Sequence, residues 1–227
     1  MAKMEQVICP KCGKQHEMEV FESINVARQP ELKASVLDGS IFDFVCPECN
    51  TTVEYLYNVW YHDPEKKLMI FLAAGEEEEA ELAIERIIEN SHTQNPFADM
   101  GYTLRIVRNA QQLREKILIA DHGRDDRVIE VCKHYALGDI MNQMPDLQIV
   151  NIIYDTINGG REAIALIDHT GMDHDLEVTD VFYEFIEELA SDIKDLPKDF
   201  YEVVDFNWAS EFLNTVLQKM QQGEPQE

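Results

Sequence analysis

Two copies of one tetrapeptide, Cys9-Pro10-Lys11-Cys12 and Cys46-Pro47-Glu48-Cys49, place four thiols in the chain with 33 residues between the pairs. Two thiolates with two residues between them can grip one ion from a tight turn. The Pro fixes φ and removes an amide. The residue after the second Cys often has to take positive φ, which Gly13 does freely and Asn50 tolerates. Two such turns make one closed site of four cysteines, Cys9, Cys12, Cys46 and Cys49. A closed site has no open position for a substrate, so the expected role of the ion is to hold the fold together. Zinc is the ion favoured by these ligands. Iron in a rubredoxin-type centre uses the same ligands and turn chemistry, so an electron carrier stays open as an alternative. A redox dithiol needs a strand before the motif and a helix starting at it, and Gly13 breaks that context.

Other residues of chemical type form weaker patterns. His169 and His174, with Asp168, Asp173 and Asp175, are the only dense His and carboxylate group in the sequence. They could bind a second metal or supply a general base, which makes a metal-dependent hydrolase with a C-terminal site the alternative function. The plainer reading is a polar loop after a hairpin. His62-Asp63 before Pro64 invites a base with its orienter, but Asp-Pro commonly starts a turn. Asp125-Asp126-Arg127 is read as the start of a helix, where Asp caps free amides. Cys132 falls on the apolar stripe of that helix, as an inert core thiol does. Phosphate-binding glycine loops, HExxH, nucleophile elbows and dinucleotide fingerprints are absent from the sequence, and no residues are assigned to catalysis or to an organic cofactor.

The elements that would position the thiols follow from periodicity. Apolar residues alternate at Met18, Val20 and Ile24 and again at Val53, Tyr55, Tyr57 and Val59, which predicts a strand after each cysteine turn. Pro30 and Gly39 bracket a short helix between the turns. Lengthening the connection from ~16 to 33 residues costs about 0.6 kcal/mol, against ~10–16 kcal/mol available from zinc in small finger peptides. The spacing therefore does not oppose the site. Residues 75–90 predict an amphipathic helix with an acidic first turn, and residues 91–101 a linker. Beyond it come a strand at 102–107, a helix opened by Asn109 and Gln112, and a helix through Val128, Val131, Cys132, Tyr135 and Ala136. A hairpin follows through Asn158-Gly159-Gly160. Two helices close the chain, with core-like stripes Phe182, Phe185, Ile186, Leu189, Ala190, Ile193 and Ala209, Phe212, Leu213, Val216, Leu217, Met220.

The fold class expected is α+β: a zinc-ribbon-like β module with a helical insertion, then an α+β domain with a hairpin and amphipathic helices. Its divisions fall at 1–72 for the metal module, 73–101 for an acidic helix and linker, 102–220 for the second domain and 221–227 for a tail. The 227 residues carry a formal net charge of −25, of which residues 1–75 hold −4 and residues 76–227 hold −21. Nucleic-acid binding depends on Lys and Arg neutralising phosphates, so a chain this acidic is a poor candidate for it, and an anionic membrane surface is disfavoured likewise. The longest apolar runs, such as residues 68–74, fall far short of the ~20 residues of a membrane helix, and the first residues lack a signal-peptide core. A cytoplasmic setting, where thiols stay reduced, is the expectation. So is a protein partner, of no stated identity, for a binding or adaptor module whose oligomeric state the sequence leaves open.

The stretch from Cys9 to about Met69 resembles the CpXC-domain family, on the two Cys-Pro-x-Cys motifs together with Ile24-Asn25-Val26, Pro30-Glu31-Leu32-Lys33, Leu37-Asp38-Gly39, Phe44 and Tyr61-His62-Asp63. Arg114-Glu115-Lys116-Ile117 and Asp125 to Glu130 resemble the region that often follows this domain in longer members. Asn50 departs from the pattern, where Gly is more typical. The resemblance implies a prokaryotic protein with a zinc site at Cys9, Cys12, Cys46 and Cys49, and no established activity.

Overall fold

The computed structural model describes residues 2–93, 95–97, 100–157, 159–198 and 200–222. The elements in chain order are β1 (Ala2–Ile8), β2 (Gln15–Phe21), β3 (Ser23–Asn25), α1 (Glu31–Leu37), β4 (Asp43–Val45), β5 (Thr52–Glu54), β6 (Val59–Asp63), β7 (Leu68–Leu72), α2 (Glu77–Thr93), β8 (Thr103–Val107), α3 (Ala110–Asp121), α4 (Asp126–Gln143), β9 (Ile149–Ile157), β10 (Arg161–Asp168), β11 (Asp173–Glu177), α5 (Asp180–Leu189) and α6 (Phe206–Gln222). The fold is mixed α+β, with several sheets and its N-terminal strands beside a cysteine cluster in the manner of a zinc ribbon.

The chain divides into two compact units, residues 1–117 with 197–202, and residues 118–196 with 203–227. This differs from the division expected at 101/102, and the reason is β8. That strand lies parallel to β7, Leu68 opposite Thr103 through Leu72 opposite Val107, with α2 in the connection. A parallel pair needs such a crossover, so α2 and β8 complete a sheet begun by residues 59–72. The sheet has the order β3-β6-β7-β8. All five residues of β7 are buried, as in a central strand covered on both faces. Two separate hairpins, β1 with β2 and β4 with β5, complete the strands of this unit.

In the second unit β9, β10 and β11 form an antiparallel sheet in the order β11-β10-β9. One core gathers Ile129, Cys132 and Ala136 of α4, Tyr154, Ile164 and Leu166 of the sheet, Ile186 of α5, Ile193, and Ala209 of α6. Helix starts follow their sequence signals. Gln112 N donates to Asn109 Oδ1 at 2.8 Å and Gln112 Oε1 accepts from Arg108 N at 2.8 Å, while Asp125 and Thr179 accept from Arg127 N and Phe182 N. The expected core stripes of the last two helices are only partly buried: Phe185, Leu189, Leu217 and Met220 are exposed, because the side of each helix that packs on α4 is narrower than its apolar stripe. Three expectations touch residues outside the description: Asn158 of the hairpin turn, residues 94, 98 and 99 of the linker, and residues 223–227 of the tail. Residues 91–93 of the expected linker are the last turn of α2, and residues 221–222 end α6.

Candidate metal centre

Each cysteine pair sits at the tip of a hairpin, and the two tips are built alike. The first turn runs from Ile8 to Gln15, the last pair of β1 and β2; the second runs from Val45 to Thr52, the last pair of β4 and β5. Cys9 N donates to Lys14 O and Gly13 N to Cys9 O, each at 2.9 Å; Cys46 N donates to Thr51 O and Asn50 N to Cys46 O, again at 2.9 Å. Gly13 has φ 68° and Asn50 φ 53°, the left-handed conformation the spacing demands. Asn is one of the few side chains that enter this region readily, which accounts for Asn50 where glycine is usual.

The turns bring the four sulfurs together across 34 to 40 residues of chain. Cys9 Sγ lies 3.6 Å from Cys49 Sγ and Cys12 Sγ 3.6 Å from Cys46 Sγ, and all four lie within 4.8 Å of one another. A tetrahedral ion with metal–sulfur bonds of ~2.3 Å places its sulfurs ~3.8 Å apart. The observed spacing fits such an ion, so the cluster could hold a metal. Cys9 and Cys46 are fully buried, while Cys12 and Cys49 lie nearer the surface.

Surrounding groups favour the anionic form at two of the sulfurs. The amides of Cys12 and Lys11 point at Cys9 and lower its pKa. Thr51, through its hydroxyl 3.3 Å from the sulfur and through its amide, draws Cys49 down to about 6. Cys12 goes the other way, to about 12: the Lys14 amide lowers it, but burial and the three neighbouring sulfurs outweigh that help. His16 Nε2 lies 3.5 Å from Cys46 Sγ, and the ring packs 5.8 Å from that of Phe44. His16 and Thr51 are the neighbours that sequence reasoning missed. Their only signal is position: His16 follows the first turn by alternation along β2, and Thr51 follows Asn50.

The other candidates separate from this site. Asp168 is buried at the end of β10, where Oδ1 accepts from Thr170 N, Thr170 Oγ1 and Met172 N while Oδ2 lies 3.1 Å from His174 Nε2. Thr170 first, then His174, hold its carboxyl well below the usual carboxylate range. The segment expected as a loop is thus a hairpin into a third strand, β11, which carries His174 and pairs Leu166 with it. His169, Asp173 and Asp175 are exposed. Among the described residues no second set of three His, Cys, Asp or Glu donors converges as the cysteines do. Asp63 is buried at the end of β6, its Oδ1 accepting from Glu65 N and Lys66 N of the following turn and its Oδ2 3.4 Å from Lys33 Nζ. Cys132 is buried in the second core, where burial pushes its thiol up to about 12.

Cysteines converging from two hairpin tips mark the N-terminal strands as a zinc-ribbon-like module whose four sulfurs could hold a metal ion. Residues 7–133, more than half of the chain, match the family described as CpXC protein, and the chain belongs to that family. No curated protein and no solved structure matches it. Among the described residues no helix is long and apolar enough to cross a membrane.

Proposed function

We propose that Cys9, Cys12, Cys46 and Cys49 hold one zinc ion, and that the protein is a cytoplasmic binding or adaptor protein whose N-terminal unit that ion closes. The observation that carries the reading is the convergence of four sulfurs within 4.8 Å of one another from two hairpin turns closed by the same pair of hydrogen bonds. Ligation by four sulfurs saturates a tetrahedral ion and leaves no position for a substrate, which supports a structural role over a catalytic one. Five free cysteines fit a reducing compartment. The net charge of −25 supports a protein partner over a nucleic acid. The test is titration of the native chain with an organomercurial in the presence of a zinc-sensitive dye. One equivalent of zinc should appear in step with modification of four thiols. Four thiols reacting freely with no metal released would overturn the assignment, and a coloured native protein that bleaches as iron is released would replace zinc by the electron-carrier reading.

A further inference from the structure

The N-terminal unit also contains a cavity of about 540 Å³ that shares no residue with the cysteine cluster. Small-molecule sites span roughly 300–1,000 Å³ and combine apolar walls with a few polar groups. Here the walls are aromatic, from Trp60 on β6, Phe97 and Tyr201. Neighbouring rings hold them in place: Trp60 lies 4.6 Å from Phe71 and edge-on at 5.4 Å from Tyr201, and Phe97 lies 4.7 Å from Tyr102. Rings already fixed offer flat apolar faces at little entropic cost on binding.

His62 lines the same space, and its bonds show that it is a spacer and not a base. Asn25 Oδ1 accepts from Ala27 N at 3.1 Å, so the amide nitrogen of Asn25 is the end that meets His62 Nδ1, at 3.1 Å. Nδ1 is therefore the acceptor, and Nε2 carries the proton that it donates to Tyr102 Oη at 3.0 Å. Burial lowers the pKa of the ring, in keeping with a neutral side chain engaged at both nitrogens. A site whose histidine is committed in this way is built to hold a molecule.

The charge of that molecule follows from Arg28. Its side chain is exposed and lines the cavity, and among the described residues it forms no ion pair, in a chain with 44 acidic against 19 basic residues. A polyanion is opposed by the net charge of the chain, so one anionic group per molecule is what a single guanidinium offsets. Asn90, exposed near the end of α2, adds an amide at the rim.

We infer that this cavity binds a small planar heteroaromatic molecule carrying one anionic group, with its ring against Trp60, Phe97 and Tyr201 and its anion on the Arg28 guanidinium. Guanidinium grips carboxylate and phosphate in the same bidentate manner, so both sources are open to the same site. The inference does not rest on the identity of the metal. Calorimetry on the full chain, purified with its native metal, tests it with three matched pairs of increasing size: nicotinate and nicotinamide, indole-3-acetate and indole-3-acetamide, cyclic AMP and adenosine. At least one anion should bind with Kd below ~1 mM and about tenfold more tightly than its neutral partner. Arg28→Gln should remove that preference, and Asn90→Ala should weaken binding of both members of the pair; both positions are exposed, and far-ultraviolet circular dichroism checks that each variant folds. Cyclic AMP alone or a carboxylate alone being bound separates the two sources. Failure of all three anions to saturate, equal binding of anion and neutral partner, or an unchanged preference in Arg28→Gln would each overturn the inference.

Discussion

The two units solve the same problem, closing a small fold, with different chemistry. The first commits its hairpins to four sulfurs drawn from positions 34 to 40 residues apart. The second relies on one apolar core and on a polar cluster around Arg124, whose guanidinium donates to Glu162 at 2.8 and 2.9 Å and to Asp180 at 2.6 Å and lies 4.5 Å above the Tyr183 ring. Tyr154 donates to the same Glu162 at 2.7 Å, and Asp125 N donates to Tyr183 Oη at 2.9 Å. The difference teaches where each unit is vulnerable. A two-stranded hairpin is marginal alone, so β1–β2 and β4–β5 draw on what their tips share as well as on buried Val7, Val20 and Phe44, whereas the second unit has no such shared tip and spreads its stability over side-chain packing and the Arg124 cluster.

The sharpest way to break the comparison is at the tips. Cys46→Ser together with Cys49→Ser should abolish metal binding and cost the first unit on the order of 10 kcal/mol. Hydrogen exchange should then show protection lost in β1, β2, β4 and β5 while amides of α4 around Ile129 stay protected; equal loss in both places would refute the division of labour. In the second unit the largest effect belongs to the core. Ile129 is fully buried, and Ile129→Ala should cost about 2–5 kcal/mol by chemical denaturation, with metal content unchanged.

Arg124→Met should cost less, about 2–3 kcal/mol, by leaving the mostly buried Glu162 carboxylate without its cation. This variant also changes the pH dependence. Burial works to raise the Glu162 pKa, but the bonds from Arg124 and Tyr154 prevail and lower it below the usual value. A carboxyl depressed in the folded state contributes stability that is present above its unfolded pKa of ~4.3 and is lost as pH falls through the folded value. The native protein should therefore lose stability in that acid window, and Arg124→Met should flatten the slope; an unchanged slope in melting experiments from about pH 7 down to about pH 3 would count against the cluster.

The smallest expected effects sharpen the description of the two tips. Nothing lies within 4 Å of a Cβ placed on Gly13, so Gly13→Ala should cost only the backbone penalty of φ 68°, about 1 kcal/mol. Asn50→Gly should change stability by less than ~1 kcal/mol, since it relieves the conformation at φ 53° and adds freedom to the unfolded chain. Both are read from the midpoint of unfolding followed through the metal site. A large loss in either would show that the tips are held by more than their backbone turns.

How much of this was legible in the sequence depends on how local the cause was. The tips were, because spacing, Pro and the positive-φ residues are local chemistry that any fold must respect. Helix starts at Asn109 and Asp125 were legible for the same reason, and so was the β9–β10 hairpin. Four of the described strands were not. One is β4, whose three residues are too few to show a period. β7 is buried on both faces and so shows an apolar run without alternation. β1 exposes most of its residues and shows no alternating run. β11 is an edge strand of sequence Asp173-His174-Asp175-Leu176-Glu177, whose charges suit an unpaired edge and disguise the strand. The boundary between units was hidden because the pairing of β7 with β8 is a long-range choice, decided by the sheet and not by the composition of the linker. The aromatic cavity was hidden for the same reason: Trp60, Phe97 and Tyr201 meet only after the fold is complete.

One measurement bears on the central claim most directly, namely mass spectrometry of the intact chain under native conditions, before and after acidification. Convergence of Cys9, Cys12, Cys46 and Cys49 on a single cation predicts one zinc per chain in the native spectrum and its complete loss in acid, with Cys46→Ser/Cys49→Ser matching the metal-free mass from the start. A native mass equal to that of the bare polypeptide, or lighter by the hydrogens lost in forming cystine, would contradict it.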